Sequence, residues 1–183
     1  LHVFIARGHM VSVIGPSRYH YYSGMGPGML SRTYSPDDIR FATEHVVSKQ
    51  GGEFILDTVV RINARERIVH LKSGNTIRYD VLSFNAGSYV PWNMVTGEPI
   101  DIFTVKPIET LLAAQKRILE LTEQKSFTVG IVGGGPSSLE IAGNIWRLAK
   151  DNGKSQPQIQ IFACSELMSR FPGKIRKIAY RSL

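Results

Sequence analysis

Phe127-Thr-Val-Gly-Ile-Val-Gly-Gly-Gly-Pro-Ser-Ser-Leu-Glu140 is the stretch that decides the fold. Phe127 to Val132 is a largely apolar run, the pattern of a strand covered on both faces. Gly133 and Gly135 then allow a sharp turn in which the backbone can come close to a pyrophosphate. Pro136 suits the first helical position, where no amide hydrogen is needed. The helix that follows points its free N–H groups and its positive dipole end at whatever lies before it. Ser138 stands where a dinucleotide fingerprint has its third glycine, and is small enough for close helix–strand packing. The stretch reads as the phosphate-binding turn of a Rossmann-like unit; an ordinary tight βα turn is the other reading.

On the C-terminal side, the helix is expected to run from Pro136 to about Asp151, with Glu140 in its first turn. A loop at Gly153-Lys-Ser-Gln-Pro and a second strand at 158–163 follow. On the N-terminal side, Lys106-Pro-Ile-Glu opens a helix whose Ile108, Leu111, Leu112, Ile118 and Leu119 fall at helical spacing and form a core stripe. From Val90 to about Thr104 the sequence is irregular and holds two prolines, so a domain boundary is expected there.

Residues 1–7 look like a helix end closed by Gly8. A short strand over Met10–Ile14 and a turn at Gly15-Pro16-Ser17 come next. Tyr19-His-Tyr-Tyr-Ser-Gly-Met-Gly-Pro-Gly28 reads as a loop, whose tyrosines with Met25 and Met29 form either a pocket wall or a pinned surface. Ser35-Pro36-Asp37-Asp38 starts a helix that should run to Gly51, with Ile39, Ala42, Val46 and Val47 inward. Strands are expected at 54–62, 67–71 and 76–78, the last two joined by a Ser73-Gly74-Asn75 hairpin turn. Another is expected at Val81–Asn85, ending in Ala86-Gly87-Ser88. Strands and helices alternate, so the class is α/β with mainly parallel sheets and a small antiparallel insertion.

At 183 residues, the chain has room for one large or two small domains. It lacks an apolar run near the roughly 20 residues that span a bilayer. Leu1-His-Val-Phe-Ile-Ala does not follow the signal-peptide pattern, which leaves the cytoplasm as the expected location. Cys164 is the only cysteine, which excludes an internal disulfide, a CxxC pair and a cysteine-rich zinc site. The five histidines have no ligand spacing, and no metal is expected. The formal charge of +7 is concentrated in Arg170, Lys174, Arg176, Lys177 and Arg181, within a tail free of acids. That tail is a solvated helix face, or meets a cofactor phosphate or an acidic membrane surface. No nucleic-acid motif accompanies it, and no nucleic-acid partner is expected.

Three ordered segments resemble the FAD-dependent pyridine nucleotide-disulfide oxidoreductase superfamily, within it the branch of type II NADH dehydrogenases and sulfide:quinone oxidoreductases. Val11 to Gly28 is similar to that family's second flavin-domain strand and the loop after it. Tyr79-Asp-Val-Leu-Ser-Phe-Asn-Ala-Gly-Ser88 resembles its "YDxLvxATGS" segment, and Gly130 to Glu140 its "GGGPxGxE" turn. The resemblance implies FAD contact at Gly15, Pro16, Ser17, Ala86, Gly87 and Ser88. It implies NADH or NADPH contact at Gly133, Gly135, Pro136, Ser137, Ser138 and Glu140. Glu140 is the candidate catalytic residue, reaching the nicotinamide–flavin junction; otherwise it is an acid serving the helix dipole. Residues 1–103 are then part of a flavin-binding domain lacking its first strand and GxGxxG turn, and 104–183 the first part of a nicotinamide nucleotide domain.

The implied reaction is hydride transfer from NAD(P)H to FAD, with electrons passed to an acceptor such as a quinone. A non-catalytic dinucleotide-sensing domain is the alternative. The family's first strand and C-terminal region have no counterpart here, so the chain reads as a fragment, expected to be inactive and nearly flavin-free alone. The absent C-terminal region would carry membrane-surface attachment at the inner face or homodimer contacts. Two departures concern ribose recognition: Gly15 stands where an acid would meet the adenosine of FAD, and Ala163-Cys164-Ser165 where one would favour NADH. Arg170 keeps NADPH open, and Glu166 could still reach a ribose.

Overall fold

The strand-and-helix alternation read from the sequence is present in the computed structural model, which describes residues 1–91, 95–98, 100–153 and 155–182. Trp92, Asn93, Met94 and Pro99, in the expected boundary stretch, lie outside the described residues, as do Lys154 and Leu183. The chain forms two units. One comprises Leu1–Tyr21 and Arg40–Gly87, the other Tyr22–Ile39 and Ser88–Leu183. This division by compactness is discontinuous in sequence, unlike the functional division at 103/104 expected above.

In the first unit, helix α1 (His2–Ala6) ends as expected. Gly8 has φ +83 and its N–H donates to the carbonyl of Ile5 at 2.9 Å. Strand β1 (Ser12–Gly15) pairs in parallel with a later strand, Glu53–Leu56, from Ser12↔Glu53 to Gly15↔Leu56. The run expected to be one strand over 54–62 is therefore two, because Asp57 and Thr58 turn the chain. Asp57 N–H reaches back to Gly15 O at 3.0 Å, and its carboxylate accepts from the Thr58 amide at 2.7 Å.

Three corrections come from pairings that local patterns do not reveal. The aromatic stretch 19–28 is not a loop: Tyr19–Tyr21 is strand β2, antiparallel to β3 (Arg40–Ala42), and Gly26–Leu30 is helix α2. That strand pairing also breaks the helix expected from Ser35. The Ser35 start does form, since the Ser35 hydroxyl and amide donate to the Asp38 carboxylate at 2.7 and 2.8 Å, and the Asp38 amide donates to the Ser35 hydroxyl at 3.3 Å. It yields one 3-10 turn over Asp37–Ile39, and the helix resumes as α3 (Thr43–Lys49). Arg40 lies over the Tyr19 ring, 4.4 Å from its centroid, across the β2–β3 pair. Ile39 and Val47 are buried as expected, whereas Ala42 and Val46 are exposed.

The third correction is Val81–Asn85, which forms no ladder among the described residues. Val81 is 89% and Phe84 74% exposed. An apolar run becomes a buried strand only where a neighbouring strand supplies its hydrogen bonds. The antiparallel insertion is present: the Glu53–Leu56 strand (β4) is followed by β5 (Val59–Asn63), β6 (Ile68–Leu71) and β7 (Thr76–Arg78), in the order β5-β6-β7. Gly74, at φ +92, makes the turn between the last two.

The second unit is built on α2, α4 (Thr110–Leu121), β8 (Thr128–Val132), α5 (Pro136–Asn152), β9 (Gln158–Phe162) and α6 (Gly173–Arg181). Helix α2 packs against α4 and α5. Its Met29 and Leu30 are fully buried, as are Leu148 of α5 and Thr122 just past α4, each apolar side chain contributing about 1.5–3 kcal/mol. The glycines of α2 are there for closeness, not flexibility. A Cβ on Gly26 would come within 2.5 Å of Ile108, and one on Gly28 within 2.6 Å of Tyr34. The Gln115 side-chain amide, from α4, donates to the carbonyls of Met29 and Leu30 at 2.6 and 3.1 Å, satisfying the end of this short helix. Among the described residues no helix is long and apolar enough to cross a membrane, and no cluster of three or more His, Cys, Asp or Glu could hold a metal.

Candidate functional site

Strands β8 and β9 run parallel and in step, from Thr128↔Gln158 to Val132↔Phe162, so both end at the same height. The Gly133 amide donates to the Phe162 carbonyl at 2.8 Å and carries the pairing one residue further. There Gly133 adopts φ +133, a conformation that a side chain would strain. The chain then enters α5 through Gly135, its N-cap in extended conformation, and Pro136 at the first helical position. The Ser138 amide donates to Gly135 O at 3.1 Å. Its side chain is buried beneath the turn, with Oγ 3.1 Å from where a Cβ on Gly133 would stand. Ser138 is therefore the close-packing residue of the motif.

The amides of Gly134, Gly135 and Ser137 have no intramolecular acceptor among the described residues. With no acid in the first turn of α5, these N–H groups and the helix dipole make a site suited to an anion. A Cβ on Gly135 would meet nothing within 4 Å, so that face of the turn is open. This passes the test for a pyrophosphate: the donors are present and the turn is open at Gly135. Gly133, Gly135, Pro136, Ser137 and Ser138 are thus brought together.

Glu140 is the fifth residue of α5 and so stands beyond its first turn, contrary to the sequence expectation. The helix begins at Pro136, and the first 3.6 residues end before Glu140. It is exposed on the wall of an open groove of about 1130 Å³, shared with Leu139, Trp146, Ile159, Ala163 and Glu166.

Opposite the turn lies the 163–168 segment, which ties β9 to it. The Met168 amide donates to Gly134 O at 2.7 Å, and Ala163 Cβ is 2.9 Å from the position of a Cβ on Gly134. Glu166 accepts a hydrogen bond from Nη1 of Arg176, on α6. Arg176 Nε is buried without a partner among the described residues. Sequence reading named Glu166 and Arg170 for ribose recognition and Arg176 only as one cation of the basic tail; the Glu166–Arg176 pairing is a tertiary contact across the 166–172 bend and leaves no spacing signal. Cys164 is exposed.

The expected flavin-contact residues are placed differently. Gly15 ends β1, and Ser17 Oγ accepts from the Tyr19 amide at 3.1 Å, which shapes the Gly15-Pro16-Ser17 turn. Pro16 and Ser17 are exposed. Ala86, Gly87 and Ser88 lie exposed in an irregular segment, Gly87 at φ +69 with nothing within 4 Å of the position of a Cβ.

Comparison with known proteins gives a consistent picture. A family model described as pyridine nucleotide-disulphide oxidoreductase matches residues 3–183. The chain is 29% identical over 118 residues to the nitrite reductase (NADH) large subunit of Escherichia coli (strain K12), covering 63% of this chain and 13% of that protein. It is 32% identical over 100 residues to the mitochondrial sulfide:quinone oxidoreductase of Dictyostelium discoideum, covering 52% of this chain and 21% of that protein. In fold it is similar to NDH2 from Plasmodium falciparum, solved in complex with NADH. The TM-score is 0.77 at 18% identity, over 96% of this chain and 41% of that one. The chain thus spans well under half the length of these relatives.

Proposed function

Since the chain belongs to the pyridine nucleotide-disulphide oxidoreductase family, we propose that it contributes the nicotinamide nucleotide turn and part of the flavin-binding frame of an FAD-dependent NAD(P)H oxidoreductase. The observation that supports this reading is the turn at 133–138, where three amides at the start of α5 have no acceptor among the described residues and the Gly135 face is open. Gly134, Gly135 and Ser137 bind the pyrophosphate through their N–H groups. Gly133 and Ser138 hold the turn close to β8. Gly15, Pro16, Ser17, Ala86, Gly87 and Ser88 supply backbone and small side chains toward the flavin nucleotide. When bound, FAD supplies a two-electron acceptor for hydride. Glu140, on the groove wall, orients the nicotinamide end.

Residues 1–103 belong functionally to the flavin domain and 104–183 to the nicotinamide nucleotide domain. The acceptor is a small molecule such as a quinone, in line with the sulfide:quinone oxidoreductase relative. The protein works in the cytoplasm, at the inner face of a membrane when a quinone is the acceptor. The test is titration of the full protein with NADH and NADPH while the visible flavin band is followed. Bleaching by either nucleotide is expected. A purified full protein without flavin, or a flavin band that neither nucleotide alters, defeats the proposal.

A further inference from the structure

In a Rossmann-like unit, the residues that follow the second strand meet the adenosine ribose. An acid there bonds the 2′-hydroxyl of NAD, and an arginine accommodates the 2′-phosphate of NADP. In this chain, that place is the 163–168 segment, fastened to the glycine turn by the Met168–Gly134 hydrogen bond. Its first position is Ala163, against Gly134, and the backbone oxygen of Glu166 is 3.9 Å from the position of a Cβ on Gly134. The one acid in the segment, Glu166, is tied to the guanidinium of Arg176. Its charge is opposed by that cation, and its oxygen accepts from the arginine in place of a ribose hydroxyl.

The second terminal nitrogen of Arg176 has no protein acceptor among the described residues, and the side chain is about one-third exposed. Arg170, Lys174, Lys177 and Arg181 stand in the same stretch, which contains no acid after Glu166. We propose that Arg176, held in place by Glu166, recognises the 2′-phosphate, and that this turn takes NADPH in preference to NADH. The inference rests on the dinucleotide reading above and adds which nucleotide it is.

The test measures dissociation constants of NADPH and NADH, and of the fragments 2′,5′-ADP and 5′-AMP, by calorimetric titration of the full protein at low ionic strength. These pairs differ by the 2′-phosphate alone. NADPH and 2′,5′-ADP are expected to bind about tenfold or more tightly than their partners, the worth of one charge-assisted hydrogen bond. Arg176→Gln should abolish that difference and leave NADH within twofold. Glu166→Gln should enlarge it, since the amide oxygen can still accept from the guanidinium while the negative charge that repels the phosphate is gone. Opposite effects of the two variants separate recognition from structure, because a purely structural ion pair would be lost in both and weaken both nucleotides alike. NADH binding as tightly as NADPH, or parallel losses in the two variants, overturns the inference while leaving the dinucleotide site standing. Binding of neither nucleotide overturns both.

Discussion

Gly134→Ala and Gly135→Ala, one residue apart, should fail in different ways. At Gly134 the new Cβ would stand 2.9 Å from Ala163 Cβ, about half an ångström inside ordinary contact at 3.4–4 Å. Ala163 has no longer side chain to swing aside, so the backbone must give. The 163–168 segment cannot simply retreat, because Met168 N–H holds Gly134 O at 2.7 Å. Overpacking of this kind costs about 1–3 kcal/mol. At Gly135 the backbone is extended, with φ −89 and ψ 178, which alanine accepts, and the Cβ meets nothing within 4 Å. Loss of a favoured N-cap residue and reduced freedom of the unfolded chain oppose one another, leaving stability within about 0.5 kcal/mol.

Binding should be the reverse for Gly135→Ala, whose Cβ fills the space the pyrophosphate needs. Nucleotide affinity is expected to fall about tenfold or more, the worth of a charge-assisted hydrogen bond held too far off. Urea denaturation of both variants and calorimetric titration with NADPH provide the two readouts. A neutral Gly134→Ala would show that the strand-end contact is not tight. Unchanged nucleotide affinity in Gly135→Ala would refute the assignment of the anion to this face of the turn.

Gln115→Leu removes the donor to two carbonyls at the end of α2 and should cost about 1–3 kcal/mol, read as a lower urea midpoint; no change would show that water replaces the amide at no loss. The Asp38 carboxyl is held below the ordinary carboxylate range, first by the Ser35 hydroxyl and then by the Ser35 amide. Its folded form therefore gains stability above the unfolded carboxyl's pKa, and that gain is lost as pH falls through the lowered value. Ser35→Ala should return the Asp38 titration, followed by NMR, toward the ordinary range; an unmoved midpoint would leave the hydroxyl without a role.

The β8–α5–β9 unit was legible because each of its signals is local. Apolar strand, glycine turn, Pro136 and helical stripe lie in one continuous stretch, and the candidate phosphate residues are neighbours in sequence. Elsewhere the deciding interactions are distant. Arg40–Ala42 carries a helical pattern from Ser35 but pairs with Tyr19–Tyr21. Gly26 and Gly28 look like loop residues, but they are small because Ile108 and Tyr34 lie against them. Val81–Asn85 has the composition of a buried strand, but composition cannot supply the neighbour whose hydrogen bonds would make it one. The Glu166–Arg176 pair was half legible, since only the acid sits where a strand end announces it.

Helix α2 has a consequence for how this chain can be cut and recombined. The path leaves the first unit after Tyr21, returns at Arg40, and leaves again after Gly87. Met29, Leu30 and Ile39, fully buried in the second unit, are thus encoded between strands of the first. A graft that moves only the segment from Ser88 onward would leave behind the residues that fill its core and the carbonyls Gln115 caps. Insertion or shuffling at that joint should produce an unfilled interior, whereas the hairpin tip at Ser73-Gly74-Asn75 lies within one unit and tolerates a foreign sequence.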